Sequence, residues 1–450
     1  MDRKKFIDIL FNKGKDAGFE EMEVYISGNK ELEIMAFKGE VDNYTIAEKE
    51  GLSFRGIYNG KMGYSYTEKI DESSIDLLIN EAIENSKIVD LKKKEYIFEG
   101  SNEYEDIVTY NKQSEKISTE EKIDFAINLE NEGRQIDNRV DNINYCLFND
   151  SSSSTMIANT KGLNLESKSN MYVSYVSALV KEGDDVKTGD KFIVSNDFSD
   201  FNYKEMASEA VSEGLSMLGA KSIESGDYPV ILRSDVSANI LKAFAEIFSA
   251  DNVQKDLSLL KDKIGEKIAT SSVSIIDDPF MKNGAYTSSF DAEGVATTYK
   301  KIVDKGVLTT YLYNLKTAKK DNTESTGNAF KASYKSPIEI APTNMYIENG
   351  DISFDEMVSG IDRGVIIIDV QGLHSGLNTI SGDFSLSAYG YEILNGKINR
   401  PINQITVSGN YYDVLKNVEQ IGNDLTFALP GKGYIGSPSI KVKTLSIAGE

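Results

Sequence analysis

Residues 228–249 read Tyr228-Pro-Val-Ile-Leu-Arg-Ser-Asp-Val-Ser-Ala-Asn-Ile-Leu-Lys-Ala-Phe-Ala-Glu-Ile-Phe-Ser249. The apolar run at 229–232 predicts a short buried strand, and the polar residues after it predict a turn in which Ser234 or Asp235 caps a helix. Apolar residues then recur at helical spacing. They predict a helix of about four turns with one buried stripe, formed by Val236, Ile240, Phe244, Ile247 and Phe248. A second strand is expected to end in Asp277-Asp278, so the region has a mixed α+β character.

The helix is followed by Gly265-Glu-Lys267 and then by the strand that ends in Asp277-Asp278. This layout resembles the core of the TldD/PmbA (TldE) peptidase family, whose TldD subunits carry His-Glu-x-x-x-His on the helix. Counting back from residues 265–267 places the two histidine positions of that motif at Leu241 and Glu246, and its glutamate at Lys242. The resemblance therefore implies a PmbA/TldE-type subunit in which the metal motif is degenerate.

The residues at these positions do not suit zinc hydrolysis. Zinc requires imidazole, thiolate or carboxylate donors, and a nearby carboxylate must accept a proton from the bound water. Leu241 has no lone pair, Lys242 is a cation where a base is needed, and Glu246 supplies a single carboxylate. The resemblance also implies a cysteine ligand near the C-terminus, and this position falls at Pro430.

Composition leads to the same expectation without an alignment. The chain has one histidine, His374, and one cysteine, Cys146. A zinc site with the usual two or three His or Cys ligands cannot be assembled from these two residues. Carboxylates are plentiful enough for an all-oxygen Mg²⁺ or Ca²⁺ site, but no ligand spacing predicts one. We expect no cofactor in this chain, and the resemblance implies zinc in a TldD-type partner.

A second similarity to the PmbA branch lies at 372–385, which reads Gly372-Leu-His-Ser-Gly-Leu-Asn-Thr-Ile-Ser-Gly-Asp-Phe-Ser385. The segment follows a predicted buried strand at Arg363–Val370, and its small and polar residues are typical of a ligand-binding loop. The candidate peptide-binding residues are His374, Ser375, Asn378, Ser381, Asp383 and Ser385. In the alternative interpretation, the Asn and Asp side chains satisfy the loop's own amides and His374 packs against the sheet.

Two further kinds of catalysis receive little support. A Ser-His-Asp hydrolase built on His374 would need Ser381 and Asp383 to converge through a loop that folds back, and no Gly-x-Ser-x-Gly elbow is present. The adjacent carboxylates Asp277-Asp278 would point to opposite faces of a strand, so they are expected to cap a turn.

A chain of 450 residues predicts more than one domain. We expect an N-terminal α+β region at 1–220, with helices flanking an antiparallel sheet, and a sheet-dominated mixed α+β domain at 221–450. A helix–strands–helix order is predicted twice, in 1–90 and 118–219, with a polar connector at 91–117. The strands of this region are predicted at 23–27, 32–35, 41–46, 51–58 and 62–66, followed by longer strands at 142–149, 153–159 and 163–180. The serines at 151–154 are interpreted as a loop or an edge strand.

Charge and hydropathy limit the partners. The formal net charge of −22 opposes binding to nucleic acid, and no stretch approaches the 18 apolar residues of a membrane span. The N-terminus alternates charged and apolar residues, unlike a signal peptide, and a lone cysteine excludes a disulfide framework. Both features predict a cytoplasmic protein.

By resemblance, we expect a subunit without its own metal in a cytosolic TldD/TldE-type metalloprotease that cleaves unfolded peptides, in peptide maturation or proteolysis. Such a chain would be inactive alone. One alternative is a self-associating peptide-binding or scaffold protein without protease activity, and another is an autonomous serine-type hydrolase. The sequence leaves open whether the chain forms a homodimer or a heterodimer.

Overall fold

The structure is a computed structural model that describes residues 2–88 and 96–450. The predicted connector at 91–117 therefore lies partly outside the described residues. Helices and extensive sheets alternate along the chain, and the predicted α+β class is confirmed. No helix within the described ranges is long and apolar enough to cross a membrane.

The N-terminal part is built on one antiparallel sheet with the strand order β3-β2-β1-β4-β5-β6. Its elements are α1 Arg3–Asp16, β1 Phe19–Phe37, β2 Glu40–Tyr58, β3 Lys61–Thr67, α2 Ile75–Ile88, α3 Thr119–Gln135, β4 Val140–Asn159, β5 Asn164–Glu182, β6 Asp185–Ser195 and α4 Tyr203–Ser216. Short 3₁₀ turns occupy Glu72–Ser74, Lys112–Lys116 and Phe198–Asp200. Helices α1 and α2 cover one end of the sheet, and α3 and α4 cover the other, each pair over its own apolar core.

In several cases, strands that were predicted separately are parts of one continuous strand. The segments 23–27 and 32–35 both belong to β1, 41–46 and 51–58 belong to β2, and 142–149 and 153–159 belong to β4. The polar residues between these segments signal turns locally, but each is hydrogen-bonded to a neighbouring strand. Continuous cross-strand pairing therefore overrides the local turn preference.

The prediction for the serines at 151–154 is wrong for the same reason. They lie in the middle of β4, where Ser152 pairs with Lys30 on one side and with Asn170 on the other. A strand whose side chains are small and polar on both faces looks like a loop in sequence. Here it is central in the sheet because β1 and β5 both extend past it.

The C-terminal part contains two larger sheets and a two-stranded one. Its helices are α5 Ser234–Phe244, α6 Ala250–Gln254, α7 Leu315–Asp321, α8 Phe354–Ser359 and α9 Tyr411–Lys416. Its strands are β7 Gly226–Leu232, β8 Ile275–Asp277, β9 Lys300–Asp304, β10 Val307–Leu308, β11 Ala329–Phe330, β12 Glu339–Ile340, β13 Asn344–Ile347, β14 Arg363–Gln371, β15 Asp383–Leu394, β16 Lys397–Asn410, β17 Val418–Ile421, β18 Thr426–Phe427, β19 Tyr434–Ser437 and β20 Ile440–Ala448.

These strands form the orders β10-β9-β8-β13-β19-β18 and β16-β15-β14-β7-β20-β17, with β11 paired to β12. An additional pairing of β16 with β20 closes the second sheet on itself as a barrel. Helix α5 packs between the two sheets in the largest apolar core of the described residues. The predicted central strand at 363–370 is β14, which is paired on both sides and buried along most of its length.

The strand and helix predicted from residues 228–249 are β7 and α5, and the five residues of the predicted stripe are all buried. The α-helix is shorter than predicted, because it ends at Phe244 and continues as a 3₁₀ turn over Ala245–Phe248. The predicted side-chain cap is absent, and the N-cap is Arg233. Asp235 instead receives a bidentate ion pair from Arg233, at 2.8 and 2.7 Å.

Candidate functional site

The degenerate motif positions lie on α5 and on the 3₁₀ turn that follows it. Leu241 is fully buried in the core between the sheets. Lys242 is partly buried, and its Nζ donates a hydrogen bond to the carbonyl oxygen of Leu429 at 2.8 Å. Burial lowers the pKa of this lysine. A leucine in the core and a lysine held by a backbone carbonyl offer no donor to a metal ion.

Glu246 lies on the exposed side of the 3₁₀ turn, with its side chain 53% accessible. Lys432 Nζ is 3.2 Å from Glu246 Oε1 and 3.1 Å from Glu339 Oε2, so this lysine bridges two carboxylates. The contacts at Leu429 and Lys432 place residues 429–432 against the motif positions. Residues 429–432, which include Pro430, therefore lie beside α5 and the turn that follows it. We call Leu241, Lys242, Glu246 and residues 429–432 the motif segment.

The residues of the motif segment do not fit a catalytic zinc ion. Leucine, lysine and proline stand where the resemblance implies donors, and the remaining carboxylate, Glu246, is paired with Lys432. Across residues 2–88 and 96–450, no group of three or more His, Cys, Asp and Glu side chains is arranged to hold a metal. The single cysteine, Cys146, is buried within the N-terminal core, and burial raises the pKa of its thiol to about 12.

The loop at 372–385 uses many of its polar side chains internally. Asn378 Oδ1 accepts hydrogen bonds from the amides of Ile380 and Ser381, at 2.9 and 3.1 Å. Ser381 Oγ donates to Asp383 Oδ2 at 2.8 Å, and Asn410 Nδ2 donates to Asp383 Oδ1 at 2.8 Å. These two bonds, that from Asn410 first, lower the pKa of Asp383. The alternative interpretation, in which the Asn and Asp satisfy the loop's own amides, describes the contacts of Asn378, whereas Asp383 accepts from two side chains.

The other predicted residues of the loop are exposed. His374 and Ser375 face solvent, while Ser385, on β15, accepts a hydrogen bond from Ser408 Oγ at 3.2 Å. Within the described part of the chain, His374 makes no hydrogen bond to Ser381 or Asp383, so these three side chains do not form a triad. Peptide binding by the six loop residues stays a prediction.

The adjacent carboxylates at the end of β8 have different environments. Asp278 Oδ1 accepts from the amide of Phe280 at 2.9 Å, which is the turn-capping role predicted for the pair. Asp277 is fully buried, and it accepts hydrogen bonds from Lys300 Nζ, Asn328 Nδ2 and both the amide and hydroxyl of Thr343. Asp277 thus does more than cap a turn, because its buried carboxylate connects three separate segments through hydrogen bonds.

Two clefts lie where the N-terminal sheet meets the C-terminal part. The first, which we call the serine cleft, has a volume of about 820 Å³ and is bordered by β1, β4 and β5 together with 283–297, 327–335 and 341–343. Its hydroxyl-bearing walls include Ser27, Ser151, Ser153, Ser154, Ser167 and Ser169. No chemistry was predicted for these serines from the sequence. Ser151 and Ser153 are two residues apart on β4, as Ser167 and Ser169 are on the neighbouring β5, and this spacing is the signal that could have indicated a shared polar surface.

The second cleft has a volume of about 1210 Å³, and we call it the lysine cleft. The cationic side chains among its described lining residues are Arg55, Lys255, Lys316, Lys319, Lys320, Lys331 and Lys335. The carboxylates are Glu23, Glu81, Asp251 and Glu293, and the tyrosines are Tyr25, Tyr64, Tyr66, Tyr96 and Tyr334. This basic surface was missed because the two lysine-containing segments, 316–320 and 331–335, are each unremarkable alone. A local excess of lysine in so acidic a chain was the available signal.

Three family profiles match successive parts of the chain. They describe PmbA/TldA metallopeptidase domain 1 at residues 22–86, the central domain at 112–218 and the C-terminal domain at 225–449. Together they span both the N-terminal sheet and the barrel-containing part, so the class defined by fold and site is that of a peptidase-related α+β protein.

Solved structures and relatives agree with this class. A Thermotoga maritima protein described as a candidate modulator of a DNA gyrase is 35% identical, with a TM-score of 0.91 over 99% of this chain and 100% of that one. TldE from Thermococcus kodakarensis has the same fold, with a TM-score of 0.90 at 21% identity over 99% and 100% of the two chains. The Metalloprotease PmbA homolog of Buchnera aphidicola is 28% identical over 311 residues, or 69% of this chain and 67% of that relative. The chain belongs to the PmbA/TldD metallopeptidase family, and the predicted resemblance is confirmed.

Proposed function

We propose that this chain is the PmbA/TldE-type subunit, without a metal site of its own, of a two-subunit peptidase that acts on unfolded peptides. The observation that carries the proposal is the motif segment. Its donors are replaced by Leu241, Lys242 and Pro430, and the remaining Glu246 is paired with Lys432. A chain with this donor set retains the fold of a metallopeptidase family and lacks the groups that hold zinc and accept a proton.

In this proposal a TldD-type partner with His-Glu-x-x-x-His supplies the zinc ion and the general base. The present chain contributes polar surface that holds the substrate, for which the two clefts and the loop at 372–385 are available. Its net charge of −22 disfavours nucleic acid as the ligand. The cytoplasm is the proposed location, because a lone buried cysteine does not need an oxidising compartment.

The test combines purification with metal analysis. The tagged full chain is recovered from an extract of its own cells, co-purifying proteins are identified, and zinc and peptide cleavage are measured for the chain alone and for the complex. We expect a partner bearing His-Glu-x-x-x-His, with zinc and cleavage confined to the complex. Stoichiometric zinc and peptide cleavage by the isolated chain would refute the proposal.

Two variants serve as controls. E246Q removes the one donor that remains in the motif segment and is expected to leave zinc content and cleavage by the complex unchanged. H374A tests the serine-hydrolase alternative. If the isolated chain cleaves peptides without metal and H374A abolishes that cleavage, the result favours this alternative. Recovery of self-associated chain without a protease partner would instead favour the scaffold function.

A further inference from the structure

The serine cleft and the lysine cleft meet at shared residues. Tyr25, Ala292, Lys331, Tyr334 and Lys335 line both, so the two clefts adjoin at these residues, between the N-terminal sheet and residues 283–338. We call the two clefts together the groove. A hydroxyl-rich wall lies at one end and a cationic, tyrosine-rich wall at the other. An extended ligand that fills the groove must pass the shared residues.

Lys331 is the cation at this junction. Its Nζ donates to Ser53 Oγ at 2.8 Å and lies 4.5 Å from the centre of the Tyr25 ring. Among the described residues, no carboxylate lies within 4 Å of this ammonium group. The nearby carboxylate of Glu23 is already used, since it accepts the Nε hydrogen of Arg55 at 2.7 Å. A largely buried ammonium group without a counter-ion is costly, and an anionic ligand would offset that cost.

Other lysines of the lysine cleft differ in how they are paired. Lys255 and Lys335 form ion pairs with Asp251 and Glu68, each at 2.5 Å. Lys316, Lys319 and Lys320 have no carboxylate partner within the described ranges and lie exposed on α7, where they raise the local potential. In a chain with a net charge of −22, this local excess of cations would attract an anion to the groove.

We propose that Lys331 binds a peptide carboxylate, with the rest of the peptide extended along the serine cleft. The inference rests on the peptide-handling part of the proposed function and adds an anchoring residue and a ligand chemistry to it. A single ammonium group suits a monoanion better than a phosphate, which arginine forks and clustered backbone amides bind best. The one arginine that lines the groove, Arg55, is occupied by Glu23. Tyrosine rings, with an apolar face and a hydroxyl tip, are suited to the side chains of an extended peptide.

The carboxylate could belong to the C-terminus or to an acidic side chain, and the experiment separates these sources. Three labelled unstructured peptides of one sequence are used: a free acid without Asp or Glu, its C-terminal amide, and the amide with one glutamate. Their affinity for the isolated full chain is measured by fluorescence anisotropy at low salt. We expect the free acid to bind about tenfold or more tightly than the plain amide, the usual range for a charged hydrogen bond.

The glutamate-containing amide then identifies the source. Binding as tight as that of the free acid shows that the site also takes a side-chain carboxylate, and binding as weak as that of the plain amide restricts the site to the C-terminal one. K331Q is expected to remove the preference for the carboxylate while leaving the affinity for the plain amide unchanged. K4Q, which changes an exposed lysine outside the groove, is the matched control and is expected to bind like the natural chain.

Equal affinity for all three peptides, no binding of any of them, or an unchanged preference in K331Q would overturn the inference. Because the assay uses the isolated chain and needs no cleavage, its failure is distinct from failure of the proposed function. Partner-dependent cleavage without a carboxylate preference would refute only the anchoring role of Lys331. Carboxylate binding without a protease partner would refute the assignment as a peptidase subunit, and the inference about Lys331 would still hold.

Discussion

The motif segment and the lysine cleft both contain lysines in partly buried positions, but the chain treats their charges differently. In the motif segment, Lys242 donates to a backbone carbonyl and Lys432 bridges Glu246 and Glu339. In the lysine cleft, Lys331 meets a hydroxyl and an aromatic ring without a carboxylate partner in the described ranges. The lysines of the motif segment are paired with groups of the same region, whereas Lys331 has no such carboxylate partner among the described residues and is proposed to bind a ligand. The family's usual site is therefore the less promising place to look for binding in this chain.

The largest expected effect tests whether the motif segment has become structural. Leu241→Ala should lower the free energy of unfolding by about 2–5 kcal/mol, because it leaves a cavity in a fully buried core. Urea unfolding of both proteins measures the difference. Leu77→Ala, at an exposed leucine on α2, is the matched control and should change stability far less. A loss below 1 kcal/mol at Leu241 would mean that this position is not a core position.

A smaller effect of opposite sign is expected in the lysine cleft. Burial, with a smaller contribution from the nearby Arg55, lowers the pKa of Lys331 to about 8, against the partial opposition of Glu23. Below pH 8 the lysine is protonated in both the folded and the unfolded chain, and the folded state bears the full cost of burying the charge. Lys331→Met should therefore stabilise the protein at pH 7, on the order of 1–3 kcal/mol, in urea unfolding.

The same variant has a predicted pH dependence. Between pH 8 and about 10.5 the unfolded chain keeps the lysine proton that the folded chain has lost, so the stability contributed by this group rises with pH. The stability advantage of Lys331→Met should shrink across that interval. An advantage that is independent of pH, or a variant less stable at pH 7, would show that the ammonium group is well accommodated without a ligand. K4Q again serves as the control.

The smallest effect is expected at the exposed edge of the motif segment. Glu246→Gln removes one carboxylate from an ion pair in which the side chains are 53% and 38% accessible. Exposed pairs of this kind contribute little, so the free energy of unfolding should fall by less than about 1 kcal/mol, and less again at high salt. A loss of 2 kcal/mol or more would mean that Glu246 supports the segment in a way that the contact with Lys432 does not explain.

Much of the fold followed from local pattern. The strand at 363–370 and the buried stripe of α5 were predicted, and both are present. These features depend on neighbouring residues and on one apolar face, which a sequence displays directly. The long strands β1, β2 and β4 were divided wrongly, because pairing with distant strands holds their polar middles in the sheet.

The site was less accessible to prediction. Leu241, Lys242 and Pro430 could be placed by resemblance, and the structure brings their segments together. The side chains of Asn378, Ser381 and Asp383 are already hydrogen-bonded within the chain. These bonds depend on how the loop folds and on its contact with β16. The groove was missed because no contiguous motif encodes it.

The sequence by itself determined which chemical groups this protein contains: one imidazole, one thiol, and abundant carboxylates and hydroxyls on the framework of a metallopeptidase family. The tertiary structure decided which of those groups meet. Lys331 and Ser53 are 278 residues apart in the chain, and their contact exists because the N-terminal sheet packs against the C-terminal part. Composition is fixed residue by residue, whereas the pairing of charges depends on the packing of whole sheets, which no local stretch specifies.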